Sequence, residues 1–311
     1  MARTALVYDE VFLKHETGGH PENKTRVEFT YDYLKSRPVF KQLVQLKPRR
    51  AKEEEICLVH SKGYYDLIKS LPAREAVHLD PDTIFGPGTF EAALNAAGAV
   101  ITAVEKVTAG DLDSAFCLVR PPGHHARPGR AMGFCIFNNI AIGAAYARRN
   151  CDVERAAIID FDVHHGNGTQ EAFYADETVL YTSLHQWPFY PGTGSPGERG
   201  NGKGEGKTVN APLLRMTDEK TYLKALHERI LPAVRQHRPS IILISAGFDA
   251  HEADLIGGLR LTTESYRTIT KAIRDVALEV CGGKIVSALE GGYRIEALAA
   301  SVEAHLEALA S

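Results

Sequence analysis

Ten residues near the middle of the chain, Ile158-Ile159-Asp160-Phe161-Asp162-Val163-His164-His165-Gly166-Asn167, concentrate groups that can hold a cation. An apolar run leads into two aspartates and two histidines, then breaks at glycine. Side chains alternate between the faces of a strand, so Asp160, Asp162 and His164 share a side while the backbone stays extended. Carboxylate oxygen and imidazole nitrogen at that spacing suit a divalent transition metal, zinc above all. A polar strand end lying on a surface would read the same way in isolation.

Other apolar runs in the chain end in similar groups. Ala115 to Val119 leads to Arg120-Pro121-Pro122-Gly123-His124-His125, where two prolines and a glycine make a rigid turn that presents adjacent histidines. Thr178 to Ser183 is followed by Leu184 and His185, Ile241 to Ser245 by Asp249, and Lys284 to Ala288 by Glu290-Gly291-Gly292-Tyr293. Sites in open parallel sheets form beyond the carboxyl ends of strands. A random scatter would not place every polar cluster there. Asp162, His164 and Asp249 offer two carboxylates and one imidazole, which leaves room for water and a substrate oxygen on a catalytic metal. Hydrolysis then needs a proton shuttle and a donor to the oxyanion, and His124, His125 and Tyr293 supply groups of those types. Asp160 can orient one histidine and raise its basicity. No Gly-x-Ser-x-Gly elbow is present, and the glycines from 200 to 206 do not follow a strand in the register of a phosphate loop.

The elements that must position these groups are strands and helices in alternation. Helices are expected from the loop at Gly18 to Arg26 onward, over two short segments from Glu53 to Ser70, and from Phe90 to Val107 with Thr89 as cap. Further helices are expected over Ile140 to Arg149, around Gln170 to Tyr174, from Thr217 or Asp218 to His237 with a kink at Pro232, from Thr262 or Thr263 to Val280, and from Ile295 to Ala310. Leu79 to Gly88 and Trp187 to Asn210 read as loops. The pattern predicts one α/β domain over residues 1–311, with a mostly parallel central sheet and helices on both faces. Hydrophobic residues make up 44% and charged residues 24% of the 311, as in an ordinary soluble enzyme. A net charge of −3 gives no general attraction to nucleic acid or anionic lipid. Five cysteines without a Cys-x-x-Cys pair read as buried thiols in a reducing compartment. With no signal peptide and no membrane-spanning run visible, a cytoplasmic location is expected.

Taken together, Arg120-Pro-Pro-Gly-His-His, Gly133-Phe-Cys, Asp160-Phe-Asp-Val-His-His-Gly-Asn, Tyr190-Pro-Gly-Thr-Gly, Ser245-Ala-Gly-Phe-Asp and Glu290-Gly-Gly-Tyr resemble the motif series of the histone deacetylase and acetylpolyamine amidohydrolase family, in its order and over nearly the whole chain. Asn167, where class I members usually carry aspartate, resembles the class II pattern. The resemblance implies an arginase-like fold and zinc-dependent hydrolysis of N-acyl amides, with acetate released from acyl-lysine side chains. Asp162, His164 and Asp249 would hold zinc. His125, paired with Asn167, would be general base and acid, and His124, paired with Asp160, an electrostatic partner. Tyr293 would donate to the carbonyl oxygen, and the Gly133 carbonyl would accept from the substrate amide. Phe134 and Tyr190 would line the acyl-lysine tunnel, with Asp82 near the substrate backbone. A structural potassium ion would take Asp160, the Ser183 hydroxyl and backbone carbonyls including that of Leu184. Arg26 and His20 fall in a segment that lies near the inner end of the family's pocket. Ile256 stands where polyamine deacetylases can carry an acidic gatekeeper, which favours acyl-lysine or a neutral amide over an acetylpolyamine, although Glu252 and Asp254 are near. The alternatives are an acetylpolyamine or other metabolite deacetylase, and a non-catalytic acyl-lysine binding module.

Overall fold

The computed structural model describes residues 2–72 and 74–311. Its strands are the apolar runs, because a strand covered on both faces must be apolar on both. They are β1 Thr4–Val7, β2 Val44–Leu46, β3 Val77–Asp80, β4 Thr83–Phe85, β5 Ser114–Cys117, β6 Ala156–Asp160, β7 Val179–Gln186, β8 Thr208–Leu213, β9 Ile241–Ala246 and β10 Ile285–Leu289. The helices are α1 Thr25–Lys35, α2 Glu53–Ile56, α3 Lys62–Ser70, α4 Thr89–Thr108, α5 Asn139–Asn150, α6 Asn167–Phe173, α7 Glu219–Ala225, α8 Leu231–His237, α9 Thr263–Cys281 and α10 Ile295–Ala310.

Eight strands form one sheet in the order β2-β1-β5-β10-β9-β6-β7-β8. Every neighbouring pair in it is parallel. Alternation sends Ile159, Ile242 and Ile244 into a core shared with α1, α9 and α10. Ile158 and Leu243 face the opposite way, into a core closed by α4 and α5. The α/β fold with helices on both faces is therefore as the sequence predicts. Among the described residues, no helix is long and apolar enough to cross a membrane.

Three local expectations are corrected, and a fourth, the irregularity at Pro232, takes a specific form. Gly88, with φ of +73°, precedes α4, and Thr89 is its first residue. The Thr89 hydroxyl accepts from the Gly86 N–H instead of capping its own helix. The stretch from Leu79 to Gly88 is not all loop, because β3 and β4 pair there as an antiparallel hairpin. The loop after Trp187 ends early, at β8, which pairs along β7 from Tyr181 to Gln186. Between α7 and α8 the chain widens into a π turn over Leu226–Ile230, just ahead of Pro232. Proline lacks an N–H and crowds the carbonyl four residues back, so the regular ladder cannot run through it.

Candidate active site

The four central strands, β5, β10, β9 and β6, are adjacent, and the loops leaving their carboxyl ends carry the site. Asp160 closes β6 and sits in register with Ser183 of β7 and Ser245 of β9. The strand stops there, so extended alternation does not carry on to His164. The chain turns instead: the Asp162 N–H donates to Asp160 Oδ1 at 3.2 Å, and the His164 N–H to Asp162 Oδ1 at 2.9 Å.

That turn brings Asp162 and His164 up to Asp249. One ligand atom from each lies within 4.8 Å of the others. His164 Nδ1 is 3.0 Å from Asp162 Oδ1 and 3.1 Å from Asp249 Oδ2. The backbone fixes the carboxylates from behind, with the Gly291 N–H donating to Asp162 Oδ2 at 2.8 Å and the Val163 N–H to Asp249 Oδ1 at 2.9 Å. A Cβ on Gly247 would stand 2.1 Å from Asp162 Oδ2, and one on Gly291 2.1 Å from Asp249 Oδ2, so only glycine permits this approach. Asp249 Oδ2 is buried and, apart from His164 Nδ1 at 3.1 Å, has no hydrogen-bond partner among the described residues. A buried carboxylate oxygen in that state is costly unless a cation meets it. Burial opposes charge on His164, yet Asp162 and Asp249 outweigh it and raise the imidazole to about 9. The trio thus draws positive charge to one point. Two oxygens and one imidazole nitrogen are a donor set that fits zinc.

Beside it, His124 Nδ1 lies 3.0 Å from Asp160 Oδ2. His125 Nδ1 lies 2.8 Å from Asn167 Oδ1. The Asn167 amide nitrogen faces the Met132 sulfur at 3.4 Å, which leaves its oxygen for the ring. An amide oxygen only accepts, so His125 carries its proton on Nδ1 and keeps Nε2 free. The two rings have centroids 4.0 Å apart but opposite tendencies. Burial would lower His124, but Asp160, Asp162 and Glu290 raise it to about 10. Burial and then the charges of His124 and His164 push His125 well below 6.5. One ring is a held cation and the other a neutral base.

Two carboxylates that sequence reasoning left without a role pin the surrounding loops. Glu290 Oε2 accepts from the N–H groups of Gly123 at 2.6 Å and His124 at 3.1 Å, which fixes the histidine turn to the end of β10. Asp254 Oδ2 accepts from Tyr293 N–H at 2.7 Å and Arg294 N–H at 3.2 Å. Its Oδ1 accepts from Ile256 N–H at 2.9 Å and Gly257 N–H at 3.2 Å. Asp254 therefore joins the loop that carries Tyr293 to the loop that carries Ile256. From below, buried Arg26 donates to the carbonyls of Gly292 at 2.6 Å and Glu290 at 2.7 Å, with its guanidinium 4.8 Å from the Tyr293 ring centroid. His20 accepts from the Glu22 N–H and meets Phe134 edge-on.

A cavity of about 250 Å³ opens onto this group. Asp82, Gly133, Phe134, Tyr190 and Ile256 all line it with His124, His125, His164 and Tyr293. The five residues expected at the tunnel thus share one cavity. Phe189 and Pro122, which the sequence reading passed over, line it too. The Phe189 ring stacks on His164 at 5.2 Å, and Tyr190 meets His125 edge-on at 5.1 Å. The adjacent aromatic pair Phe189-Tyr190 was the available signal. His165 turns away to Thr193 and Gln170, so it is no ligand despite its neighbour. Ser183 and Leu184 lie on β7, where the Ser183 hydroxyl is 2.8 Å from His185 Nδ1.

Residues 20–309 match the family model of the histone deacetylase domain. The chain belongs to the histone deacetylase family. Among its relatives, a probable deacetylase of Archaeoglobus fulgidus is 42% identical over 296 residues, which cover 94% of this chain and 82% of the relative. The histone deacetylase-like amidohydrolase of Pseudomonas aeruginosa is 37% identical, over 94% of this chain and 82% of that protein. Histone deacetylase 14, chloroplastic, of Arabidopsis thaliana is 40% identical, over 99% and 77% respectively. The crystal structure of the HDA15 HD domain superposes with a TM-score of 0.95 at 35% identity, covering 99% of this chain and 88% of that one. As a histone deacetylase family member the chain is a hydrolase of the deacetylase and amidohydrolase kind.

Proposed function

We propose that this family member is a zinc-dependent deacetylase that removes acetyl or other short acyl groups from lysine side chains. The convergence of Asp162, His164 and Asp249 on one buried point, beside histidines of opposite protonation, carries this reading. These three residues would hold the zinc, which when bound polarises the acyl carbonyl and acidifies water. His125 Nε2 takes a proton from the attacking water and later gives it to the leaving amine as the C–N bond breaks. The Tyr293 hydroxyl donates to the acyl oxygen as negative charge grows on it. His124 stays protonated beside it, held by Asp160. The Gly133 carbonyl accepts from the substrate amide while Phe134 and Tyr190 flank its chain.

Two observations favour acyl-lysine over acetylpolyamine. Ile256 gives a cationic tail no partner at the mouth, and the Asp254 carboxylate is fully occupied by four backbone N–H groups. Among the described residues that line the cavity, Asp82 is the one acid a polyamine could use. The test is a panel of acyl-lysine peptides and acetylated polyamines, assayed after chelation and after zinc is returned. Activity should vanish on chelation, return with zinc, and favour the peptides. Full activity in the chelated protein, or a preference for acetylspermidine, contradicts the reading. Elemental analysis of the same samples tests a second part of the proposal, a potassium ion at Asp160, Ser183 and the Leu184 carbonyl. Zinc without potassium rejects that part.

Asp254 is a positioning residue in this scheme. Asp254→Ala is expected to lower kcat about 10- to 100-fold, because a displacement near 1 Å at a reacting group can cost that much. KM for a small acetyl-lysine amide and zinc content should stay near wild type. In the Tyr293→Phe background the same change should cost little more. A full additional loss there shows that Asp254 does not act through the Tyr293 hydroxyl.

A further inference from the structure

The cavity wall at Gly133 and Phe134 is a tight reverse turn. Met132 and Cys135 close it, with the Cys135 N–H donating to the Met132 carbonyl at 3.0 Å and the Met132 N–H to the Cys135 carbonyl at 3.3 Å. The residues between them, Gly133 and Phe134, stand at φ of +57° and +71°. Positive φ at both central positions is the type I′ arrangement, which favours asparagine followed by glycine. Gly133 suits its place, and a Cβ there would stand 2.4 Å from His125 Cδ2. Phe134 does not suit its own, because a bulky side chain at positive φ is strained. A Gly-Phe pair favours the type II′ turn, with positive φ at the glycine alone. The two turns differ by a flip of the central peptide, the unit made of the Gly133 carbonyl and the Phe134 N–H. Strain of this kind persists only where surrounding contacts fix it. Here the Phe134 N–H donates to Thr83 Oγ1 at 3.0 Å, from a residue 51 positions away in the chain. Thr83 is fully buried in β4 and pairs with Asp80 across a hairpin whose tip is Pro81-Asp82. The N–H and C=O of one trans peptide point in opposite directions, so the hydroxyl that grips the N–H turns the Gly133 carbonyl the other way. The Cys135 thiol donates to that carbonyl at 3.2 Å, which leaves it one lone pair.

We infer that Thr83 is a positioning residue for the hydrolysis: its hydroxyl locks the Gly133–Phe134 peptide in the orientation that offers the Gly133 carbonyl to the N–H of the scissile amide. The inference rests on the deacetylase reading and adds to it a residue that touches no substrate atom. Valine at position 83 has nearly the same shape and lacks the acceptor. It would leave the Phe134 N–H unpaired behind the wall, which costs more than the bond itself contributes. The peptide then relaxes to the type II′ orientation, Phe134 returns to negative φ, and the carbonyl turns away from the substrate. Asp82, one residue before Thr83, lines the same cavity as Gly133 and Phe134, so the acid at the mouth and this wall share one clamp.

The test compares Thr83→Val with the wild-type chain, both zinc-loaded, on two small substrates: an acetyl-lysine derivative and its ester analogue, in which oxygen replaces the N–H of the acyl amide. On the amide, kcat/KM should fall about tenfold, the scale of one buried polar group left unpaired. On the ester, which has no N–H to offer, it should change little. Thr83→Ser, which keeps the acceptor, should recover most of the loss. Undiminished activity of Thr83→Val on the amide overturns the inference and leaves the deacetylase reading intact. Equal losses on amide and ester also overturn it, because the substitution then acts on the fold and not through the carbonyl. A wild-type protein that hydrolyses neither substrate defeats both. Should Thr83→Val fail to fold, hydrogen exchange at the wild-type Phe134 amide decides the matter. Protection there supports the clamp, and exchange as rapid as in an open loop overturns it.

Discussion

Replacing His125 with alanine is expected to lower kcat about 10²- to 10⁴-fold, the usual contribution of a positioned general base. The side chain is buried, but its removal leaves the zinc trio and the Phe134 and Tyr190 walls in place, so substrate affinity should change far less. The pH profile carries the sharper information. A base works only when unprotonated, and burial together with the charges of His124 and His164 pushes His125 well below 6.5. Its neutral form therefore persists as pH falls through 6.5, and a bound dication would push the same way. The kcat/KM of the wild-type protein should stay level through that value and decline only beneath it. An acid limb centred at or above 6.5 would falsify the assignment of His125 as the base. Asn167→Ala should move this limb, because the amide oxygen that holds the Nδ1 proton is lost.

Tyr293→Phe should cost about 10²- to 10³-fold in kcat, the range for deleting one oxyanion donor. The substitution isolates the hydroxyl well. The phenyl ring keeps its edge contact with Phe134 at 5.8 Å and its place over Arg26 at 4.8 Å. Burial raises the phenol far above its ordinary value, so the wild-type group remains a proton donor throughout the working range. Zinc content and the binding of a carboxylate product should be retained. Turnover within a few-fold of wild type removes Tyr293 from the mechanism, and loss of zinc shows that the variant has been damaged elsewhere.

The parts of this molecule that were legible in its sequence share one property: their signal is local. Near-continuous apolar runs announce strands such as Ile241–Ala246, and polar clusters just beyond them announce the site, because both are set by neighbours along the chain. β2, with Val44, Gln45 and Leu46 largely outside the core, has no such run and forms only by pairing with β1. β8 contains Pro212 and follows a glycine-rich stretch, so its composition argues for a loop, while its edge position beside β7 tolerates the proline. Asp254 illustrates a deeper limit. Its partners are backbone N–H groups, two of them 39 and 40 residues away, and a backbone N–H has no letter in a sequence. Glu290 was visible as part of a motif, yet its bond to the His124 N–H spans 166 residues and exists only once β5 and β10 lie side by side.

The four bonds to Asp254 carry a consequence for anyone who redesigns this protein. Under the proposed function, Ile256 at the mouth and the Tyr293 hydroxyl at the bottom act on the substrate from loops anchored to the same carboxylate. Selectivity and speed are then mechanically linked. Libraries randomised around position 256 should show trade-offs in which altered preference arrives with slower turnover. Variants that alter the filter by side-chain size alone, with the two backbone donors undisturbed, are the ones expected to escape that linkage.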